Sequence, residues 1–436
     1  MKDFAVFSYF FIILFTVSFQ ILPPESRIFT PDVSDLKLSF GSCFGLFNKS
    51  TDIFKNIKAY NPYMWIWLGD YAYTDKFSPF GWSPNPIEKV IYQYNRTYTQ
   101  KYYQSLEKEH YIIGVWDDHD YGLNNANKYF TGGKAVKPVF LDFIGERENT
   151  ERRKREGVYE DYQIKLKNLS IRLILLDVRS FKESLLWDKD ADILGEEQWE
   201  WFENIFKNTK DDIYLIGSGV QVLPFDRTLI VEHWFRKPRT RLIQLIKKYQ
   251  KSGVIILSGD VHFAQLYKTN CDSEGIGYPI YEICSSGLSH FCTTHSPFCD
   301  IFCDTYTPLT YPITPIYDFF NFGTVEIDSN SNKQQTLIKL QIRDYVTNIV
   351  FEKELKLGEL SFKDLEPNEG CRKHFEREWL HFFNRIIQNL LNFNILQILI
   401  ILILLAIISH ILWFPIWVLK LIIDKFYLKK LHIYNK

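Results

Sequence analysis

The sequence has almost no net charge, and several familiar catalytic and metal-binding motifs are missing from it. Its 51 Lys and Arg residues nearly balance its 52 Asp and Glu residues, for a formal net charge of -1. Neither a basic nucleic-acid-binding surface nor an acidic tail is therefore indicated. Ser218 lies between two glycines, but the G-x-S-x-G pattern of a nucleophile elbow is absent. Paired C-x-x-C elements, internal repeats and long low-complexity linkers are absent as well.

Apolar segments lie at both ends of this 436-residue chain, whose 46% hydrophobic content is sufficient for a large core. Residues 1–24 resemble a secretory signal peptide, with a retained N-terminal anchor as the alternative. Residues 393–419 are almost continuously apolar and are followed by clustered lysines, which predicts a transmembrane helix with a cytoplasmic tail, 420–436. A buried core helix is the competing interpretation. A folded domain, 25–370, and a juxtamembrane segment, 371–392, would then face the lumen or the outside in a single-pass type I arrangement.

Cysteine usage agrees with export. Cys43 stands alone, and six cysteines could form three disulfides that staple a Cys-rich insert, 271–303. Those six are Cys271, Cys284, Cys292, Cys299, Cys303 and Cys371. A zinc site is the alternative, but the spacing and an oxidising compartment disfavour it. Sequons at Asn48, Asn95 and Asn168 are compatible with glycosylation.

Several apolar runs end in polar residues that could bind a metal. Four predicted strands, 36–40, 63–68, 110–116 and 254–257, are followed in turn by Cys43, by Asp70, by Asp118 with His119, and by Asp260 with His262. Strands alternating with helices indicate an α/β architecture with largely parallel strands, in which ligands bind beyond the carboxyl ends of the strands. The sequence therefore predicts one convergent site.

The remaining segments complete the predicted architecture. Helical periodicity is expected over 51–60, 86–109, 196–207 and from 238 to a stop at Gly253, and further strands over 171–176 and 213–216. The aromatic residues of 196–207 are expected to pack in the core rather than form a binding site. The charge-dense segment 146–156 is expected to be a solvated helix or loop. Alternation between 311 and 355 predicts antiparallel strands that complete a second sheet.

A thiol, carboxylates and imidazoles without a recognisable Ser or Lys nucleophile are the ligands of a metal site. Two cations that share a bridging carboxylate can position a hydroxide and bind a phosphoryl oxygen, so that water attacks in line with the leaving group. His119, beside Asp118, is the natural general acid because imidazole titrates near neutrality. Iron, calcium, zinc and manganese all remain open as the metal.

Five motifs together resemble the PhoD-like (alkaline phosphatase D) branch of the metallophosphoesterases. They are Gly41-Ser42-Cys43, Gly69-Asp70-Tyr71-Ala72-Tyr73, Trp116-Asp117-Asp118-His119-Asp120, Gly219-Val220-Gln221 and Gly259-Asp260-Val261-His262. The resemblance spans about residues 40 to 262. It implies a two-sheet β-sandwich flanked by helices, which would be a metal-dependent phosphoric ester hydrolase acting on monoesters or diesters.

The resemblance also implies roles for individual residues. Asp70 would bridge two metal ions, with Cys43 and Tyr73 completing an iron-type site and calcium as the second metal of the family. Asp118 would stand where the superfamily has an asparagine ligand, and His119 where it has the acid. Asp260 and His262 would supply the last ligands, with Gln221 in a supporting position. The Asp-x-His start of the superfamily is absent, and Cys43 takes its place.

Two other functions remain as alternatives. The first is a phosphodiesterase or phospholipase-type activity at the same site. The second is a catalytically silent membrane glycoprotein that uses the fold for adhesion or receptor work. A silent relative would be expected to lose ligands, whereas all the predicted ligands are present here.

Overall fold

The computed structural model describes residues 27–45, 52–78, 81–184, 191–224, 233–269, 276–292 and 310–364. The predicted signal peptide, juxtamembrane segment, transmembrane helix and cytoplasmic tail lie outside these residues, so they stay predictions. Among the helices that the structure does describe, none combines the length and the apolar character needed to cross a membrane.

The described elements are numbered in chain order. The strands are β1 (Ile28–Phe29), β2 (Asp35–Gly41), β3 (Met64–Leu68), β4 (Lys76–Ser78), β5 (Gly81–Ser83), β6 (Tyr111–Val115), β7 (Glu160–Lys165), β8 (Ser170–Leu176), β9 (Ile213–Ser218), β10 (Val254–Ser258), β11 (Ala264–Thr269), β12 (Tyr281–Ser285), β13 (Thr310–Pro312), β14 (Asn321–Asp328), β15 (Leu337–Asp344) and β16 (Ile349–Lys356). The helices are α1 (Ile53–Tyr60), α2 (Ile87–Tyr98), α3 (Lys101–Glu107), α4 (Asp118–Tyr121), α5 (Gly133–Phe143), α6 (Glu151–Lys154), α7 (Gly195–Asn208) and α8 (Arg236–Lys248).

Two large sheets form the centre of the fold. One has eight strands in the order β1-β7-β8-β9-β10-β12-β11-β13, and the other has six in the order β16-β15-β14-β2-β3-β6. In the first sheet β8, β9, β10 and β12 are mutually parallel, and in the second β2, β3 and β6 are. Side chains of both sheets and of the longer helices share one hydrophobic core. The mixed α/β fold with two sheets is confirmed.

The predicted parallel strands are thus divided between two sheets. Fully apolar runs such as β3 and β10 are buried along their whole length, as expected for strands covered on both faces. The later antiparallel strands β14, β15 and β16 extend the six-stranded sheet, because β14 pairs with β2. The carboxyl ends of β2, β3, β6 and β10 are the ones that precede the predicted ligands.

Two predictions, one of a helix and one of a solvated segment, need correction. The segment 86–109 forms two helices, because Gln100 adopts an extended conformation between α2 and α3. The charge-dense segment 146–156 is partly buried: Arg152 is fully enclosed and donates to the carbonyl oxygens of Val158 and Gly114 and to Glu146. An enclosed guanidinium needs such partners, since its desolvation is otherwise uncompensated. Trp199 and Phe202 of α7 pack in the core, as predicted.

The disulfide prediction needs correction at Cys284. This residue lies on β12 in the core as a reduced thiol, with its Sγ atom 3.6 Å from the carbonyl oxygen of Gly259. Cys43 is likewise a buried thiol, in agreement with its being set apart from the disulfide framework. Cys292 is disulfide-bonded, and the other four cysteines lie outside the described residues.

Ser218 does not sit in a nucleophile elbow. It is fully buried at the end of β9, donates to the carbonyl oxygen of Val220 at 2.6 Å and accepts from Nε1 of Trp234 at 3.1 Å. Both bonds tie the hydroxyl into the fold rather than presenting it to a substrate.

Glu107, at the end of α3, predicts a pH dependence of stability. Burial raises the pKa of its carboxyl from 4.5 to about 7 against the hydrogen bond from Tyr98 and the charge of Lys108. The folded protein therefore keeps the proton that the unfolded chain releases, so stability falls as pH rises from 4.5 to about 7. Over that interval the wild type is expected to lose about 3 kcal/mol of unfolding free energy relative to Glu107→Gln.

Urea titrations of chelator-treated protein across this pH interval provide the measurement. Glu109→Gln is the matched control, because Glu109 is exposed, pairs with Lys58 and has a lowered pKa. If the unfolding free energies of the wild type and Glu107→Gln changed in parallel with pH, the buried carboxyl would not be the cause of the pH dependence.

Candidate metal centre

The ends of four strands, drawn from both sheets, bring the predicted ligands together. Cys43 follows β2, Asp70 follows β3, Asp118 opens α4 just after β6, and Asp260 follows β10. Three overlapping groups have donor atoms within 4.8 Å of one another: Cys43, Asp70 and His262; Asp70, Asp118 and His119; and Asp70, Asp117, Asp118 and Asp260. Asp70 belongs to all three groups.

The backbone is unusual at four of the predicted ligands. Cys43, Asp70, Asp260 and His262 have φ angles of 61°, 52°, 73° and 62°. Residues other than glycine rarely adopt this left-handed conformation, which costs of the order of 1–3 kcal/mol each and clusters at functional sites. The fold therefore holds these side chains in orientations that it would not choose for stability alone.

Two glycines allow the strand ends to approach closely. Gly69 has a φ angle of 91°, and a Cβ atom there would lie 2.3 Å from the Cβ of Asp117. A Cβ atom at Gly259 would lie 2.4 Å from the hydroxyl of Ser42. In each Gly-Asp pair the glycine lacks a side chain, so its backbone can lie against the loop that follows a neighbouring strand. The aspartate next to it is thereby brought into the cluster.

A thiol, a carboxylate and an imidazole form the first donor group. The Sγ atom of Cys43 lies 3.4 Å from Oδ2 of Asp70 and 3.0 Å from the hydroxyl of Ser286. The hydroxyl of Tyr73 lies 3.3 Å from Nε2 of His262, whose backbone N–H donates to Ser286. All of the predicted iron-type ligands therefore meet at one place.

The donor group made only of carboxylates, Asp70, Asp117, Asp118 and Asp260, lies beside a buried arginine. Arg179 is fully buried, donates to Asp117, and has Nη2 3.8 Å from Asp118 and 3.9 Å from Asp260. Burial would raise the pKa of Asp118, but Arg179 and His119 hold it well below its usual range. Asp118 is therefore ionised, while Asp117 is engaged by the guanidinium.

Asp120 has a structural role, although it stands in the same acidic run. Its carboxylate accepts hydrogen bonds from the backbone N–H groups of Asp70, Ala72 and Asp117. These bonds join the loop after β3 to the loop after β6. Asp120 thus positions Asp70 without facing the donor cluster.

His119 is held in place by Asp75. Its Nδ1 atom lies 2.8 Å from Oδ1 of Asp75, whose other oxygen accepts from the N–H of Asn124 at 2.8 Å. Thr74 donates from its hydroxyl to the carbonyl oxygen of His119. Burial lowers the pKa of His119, but Asp118 and Asp75 outweigh it and raise that pKa. Nδ1 is thus the ring nitrogen that Asp75 engages.

These residues fit bound metal ions. Oδ1 of Asp70 is buried and, within the described residues, has no hydrogen-bond partner. Burial, together with the carboxylates around it, raises the pKa of Asp70, and burial followed by Asp70 and Asp260 raises the pKa of Cys43. Such a cluster keeps its ionised form only when a cation compensates it. The thiolate and imidazole suit a transition metal, and the carboxylates suit a harder cation.

The family model of the PhoD-like phosphatases matches residues 38–337. The chain belongs to this family. PhoD-like phosphatases are metal-dependent phosphoric ester hydrolases, so the membership expected from the five motifs is confirmed.

The solved structure of PhoD shares the fold of this PhoD-like phosphatase, and two others match it less well. The structure of PhoD has a TM-score of 0.59 at 15% identity and covers 78% of this chain and 73% of its own. GAP50, the anchor in the inner membrane complex of Plasmodium, has a TM-score of 0.45 at 10% identity and covers 78% and 94%. A putative 5'-nucleotidase from Staphylococcus aureus has 0.35 at 11% and covers 79% and 58%. No curated protein matches the chain in sequence.

Some residues of the site were not predicted from the sequence of this phosphatase. Asp75, Ser286 and Arg179 each contact a predicted residue, and His290 stacks on His262 with ring centroids 4.3 Å apart. Asp75 follows Tyr73 closely, and Ser286 follows an apolar strand. A search for polar residues just after apolar strands could therefore have found both. Gln221 is buried and donates to the hydroxyl of Tyr267 at 3.2 Å.

Proposed function

We propose that this PhoD-like phosphatase hydrolyses phosphate esters at a two-metal centre bridged by Asp70. The observation that carries the proposal is the position of Asp70, whose buried carboxylate belongs to every donor group of the cluster. Cys43, Tyr73 and His262 would hold an iron-type ion on one side of it. Asp118 and Asp260 would hold a harder cation, such as calcium, on the other.

Bound metal ions would supply Lewis acidity toward water and toward the phosphoryl oxygens. The chain's own contribution is to fix geometry and to move a proton. Asp75 holds Nδ1 of His119, so that Nε2 can give a proton to the leaving oxygen. Arg179 keeps Asp117 occupied and compensates part of the negative charge of the cluster.

The proposal extends to the location of the domain. Residues 393–419 would anchor it in a membrane, with the catalytic domain luminal or extracellular. The apolar run of the sequence supports the anchor, and the exposed side chains of Asn95 and Asn168 are compatible with glycosylation on that side. Zinc or manganese instead of iron and calcium would leave these roles unchanged.

Hydrolysis of 4-nitrophenyl phosphate and bis(4-nitrophenyl) phosphate by the full chain, purified in detergent, tests the proposed function. Turnover is expected to disappear with a chelator and to return when iron and calcium are added together. The ester that is hydrolysed faster then assigns the enzyme as a monoesterase or a diesterase. If neither ester is hydrolysed after reconstitution with iron, calcium, zinc or manganese, the silent glycoprotein replaces this proposal.

A further inference from the structure

A small hairpin next to His119 exposes two aromatic rings. Strands β4 and β5 pair only with each other among the described strands, and Phe77 stands directly opposite Trp82 in the ladder. Their rings meet edge to face with centroids 5.3 Å apart, and they are 70% and 37% exposed. Residues opposite each other in a ladder project to the same face, so the two rings form one apolar patch.

This patch is attached to the proposed acid. The ring of Trp82 packs edge to face on the imidazole of His119, with centroids 4.8 Å apart. The hairpin begins immediately after Asp75, which holds Nδ1 of the same imidazole. Just after the hairpin in sequence, the side chain of Asn85 donates to the carbonyl oxygen of Thr74 at 2.8 Å, which joins the two ends of the hairpin. These contacts place the ring of Trp82 against His119 and the ring of Phe77 against Trp82.

The place of the acid indicates what the patch contacts. A general acid lies beside the oxygen that leaves, so the group bonded to that oxygen must extend past His119 and away from the metal ligands. Trp82 contacts the imidazole, and Phe77 contacts Trp82, so both rings lie beside the proposed acid, where such a group could reach them. Lys76 and Ser78 point to the other face of the hairpin, because side chains alternate along a strand.

We propose that Phe77 and Trp82 bind an apolar group, aryl or alkyl, on the alcohol side of the ester and so determine substrate specificity. The proposal rests on the proposed function, because it takes His119 to be the acid that faces the leaving oxygen. An apolar alcohol group gains by covering the two exposed rings, while a small or charged alcohol gains nothing from them.

Binding of phosphonates, which are not hydrolysed, tests this without relying on turnover. The probes are ethylphosphonate, hexylphosphonate and 2-phenylethylphosphonate, measured by calorimetry on the metal-loaded full chain. The wild type is expected to bind the better of the two apolar probes about 10-fold more tightly than ethylphosphonate. Phe77→Ala is expected to reduce that ratio to about 2 or less. Preference for the phenyl or for the hexyl probe distinguishes an aromatic from an alkyl alcohol.

Tyr92→Ala is the matched control. Tyr92 is an aromatic residue of α2 that is 61% exposed, and its replacement should leave the ratio as in the wild type. Equal affinities for all three probes in the wild type, or a preference that survives in Phe77→Ala, would overturn the proposal. If the preference is present but no ester is hydrolysed by the same samples, the aromatic patch stands and the hydrolytic function falls.

Discussion

Replacing Asp70 by asparagine is expected to remove bound metal and to lower ester hydrolysis at least about 1,000-fold, or about 4 kcal/mol of transition-state stabilisation. Asp70 is the one carboxylate common to all three donor groups, and its Oδ1 atom is buried without a hydrogen-bond partner within the described residues. An amide cannot bridge two cations as a carboxylate does. Kinetics with 4-nitrophenyl phosphate and elemental mass spectrometry on the same samples measure both effects.

The same substitution should stabilise the metal-free protein. Asp70 lies beside Asp117, Asp118 and Asp260 in the protein interior. A neutral amide at position 70 therefore removes the repulsion between this carboxylate and its neighbours. Asp142→Asn is the control. Asp142 lies on α5, its carboxylate is half-exposed, and it pairs with Arg153 of α6. Unchanged metal content and activity in Asp70→Asn would remove the bridging role from this residue.

Replacing His119 by glutamine is expected to slow the hydrolysis of alkyl esters about 100-fold to 1,000-fold, and of 4-nitrophenyl esters less than about 10-fold. An alkoxide is a poor leaving group and needs the proton, whereas 4-nitrophenolate leaves without one. The imidazole is buried, and Asp75 holds Nδ1, so Nε2 is the atom that can give the proton. Ethyl phosphate and 4-nitrophenyl phosphate, assayed on one preparation, give the two rate ratios.

Metal content separates this role from metal binding. The donor atoms of His119 also lie within reach of Asp70 and Asp118. A general acid can be replaced without loss of metal, whereas a ligand cannot. Asp75→Asn should show the same leaving-group dependence in weaker form, since it loosens the imidazole without removing it. Equal losses on both esters, accompanied by lost metal, would make His119 a ligand instead.

The position of the site could be predicted from the sequence because parallel strands point their carboxyl ends to one edge. Cys43, Asp70, Asp118 and Asp260 each follow an apolar run, and the structure brings all four together. The separate roles within the run after β6 could not be predicted from the pattern, and the family resemblance singled out Asp118 and His119. Asp118 and Asp120 are the same residue type two positions apart, and only the backbone N–H groups around Asp120 distinguish them.

Partners distant in sequence were likewise inaccessible to pattern reasoning. The bond between Asp75 and His119 joins residues 44 positions apart, and the enclosed Arg152 reaches Gly114 across 38 positions. From charge density alone, the segment around Arg152 was predicted to be exposed to solvent. Alternation predicted a second sheet of antiparallel strands, but not that β14 would pair with β2, since periodicity indicates a strand but not its neighbours.

Metal content of the purified full chain tests most directly whether the cluster around Asp70 is a metal centre. Elemental mass spectrometry is expected to find two metal ions per chain in the wild type, one of them a transition metal, and to find both lost or substoichiometric in Asp70→Asn. A wild type that holds no stoichiometric metal after reconstitution, or a variant that holds as much as the wild type, would contradict a metal centre bridged by Asp70.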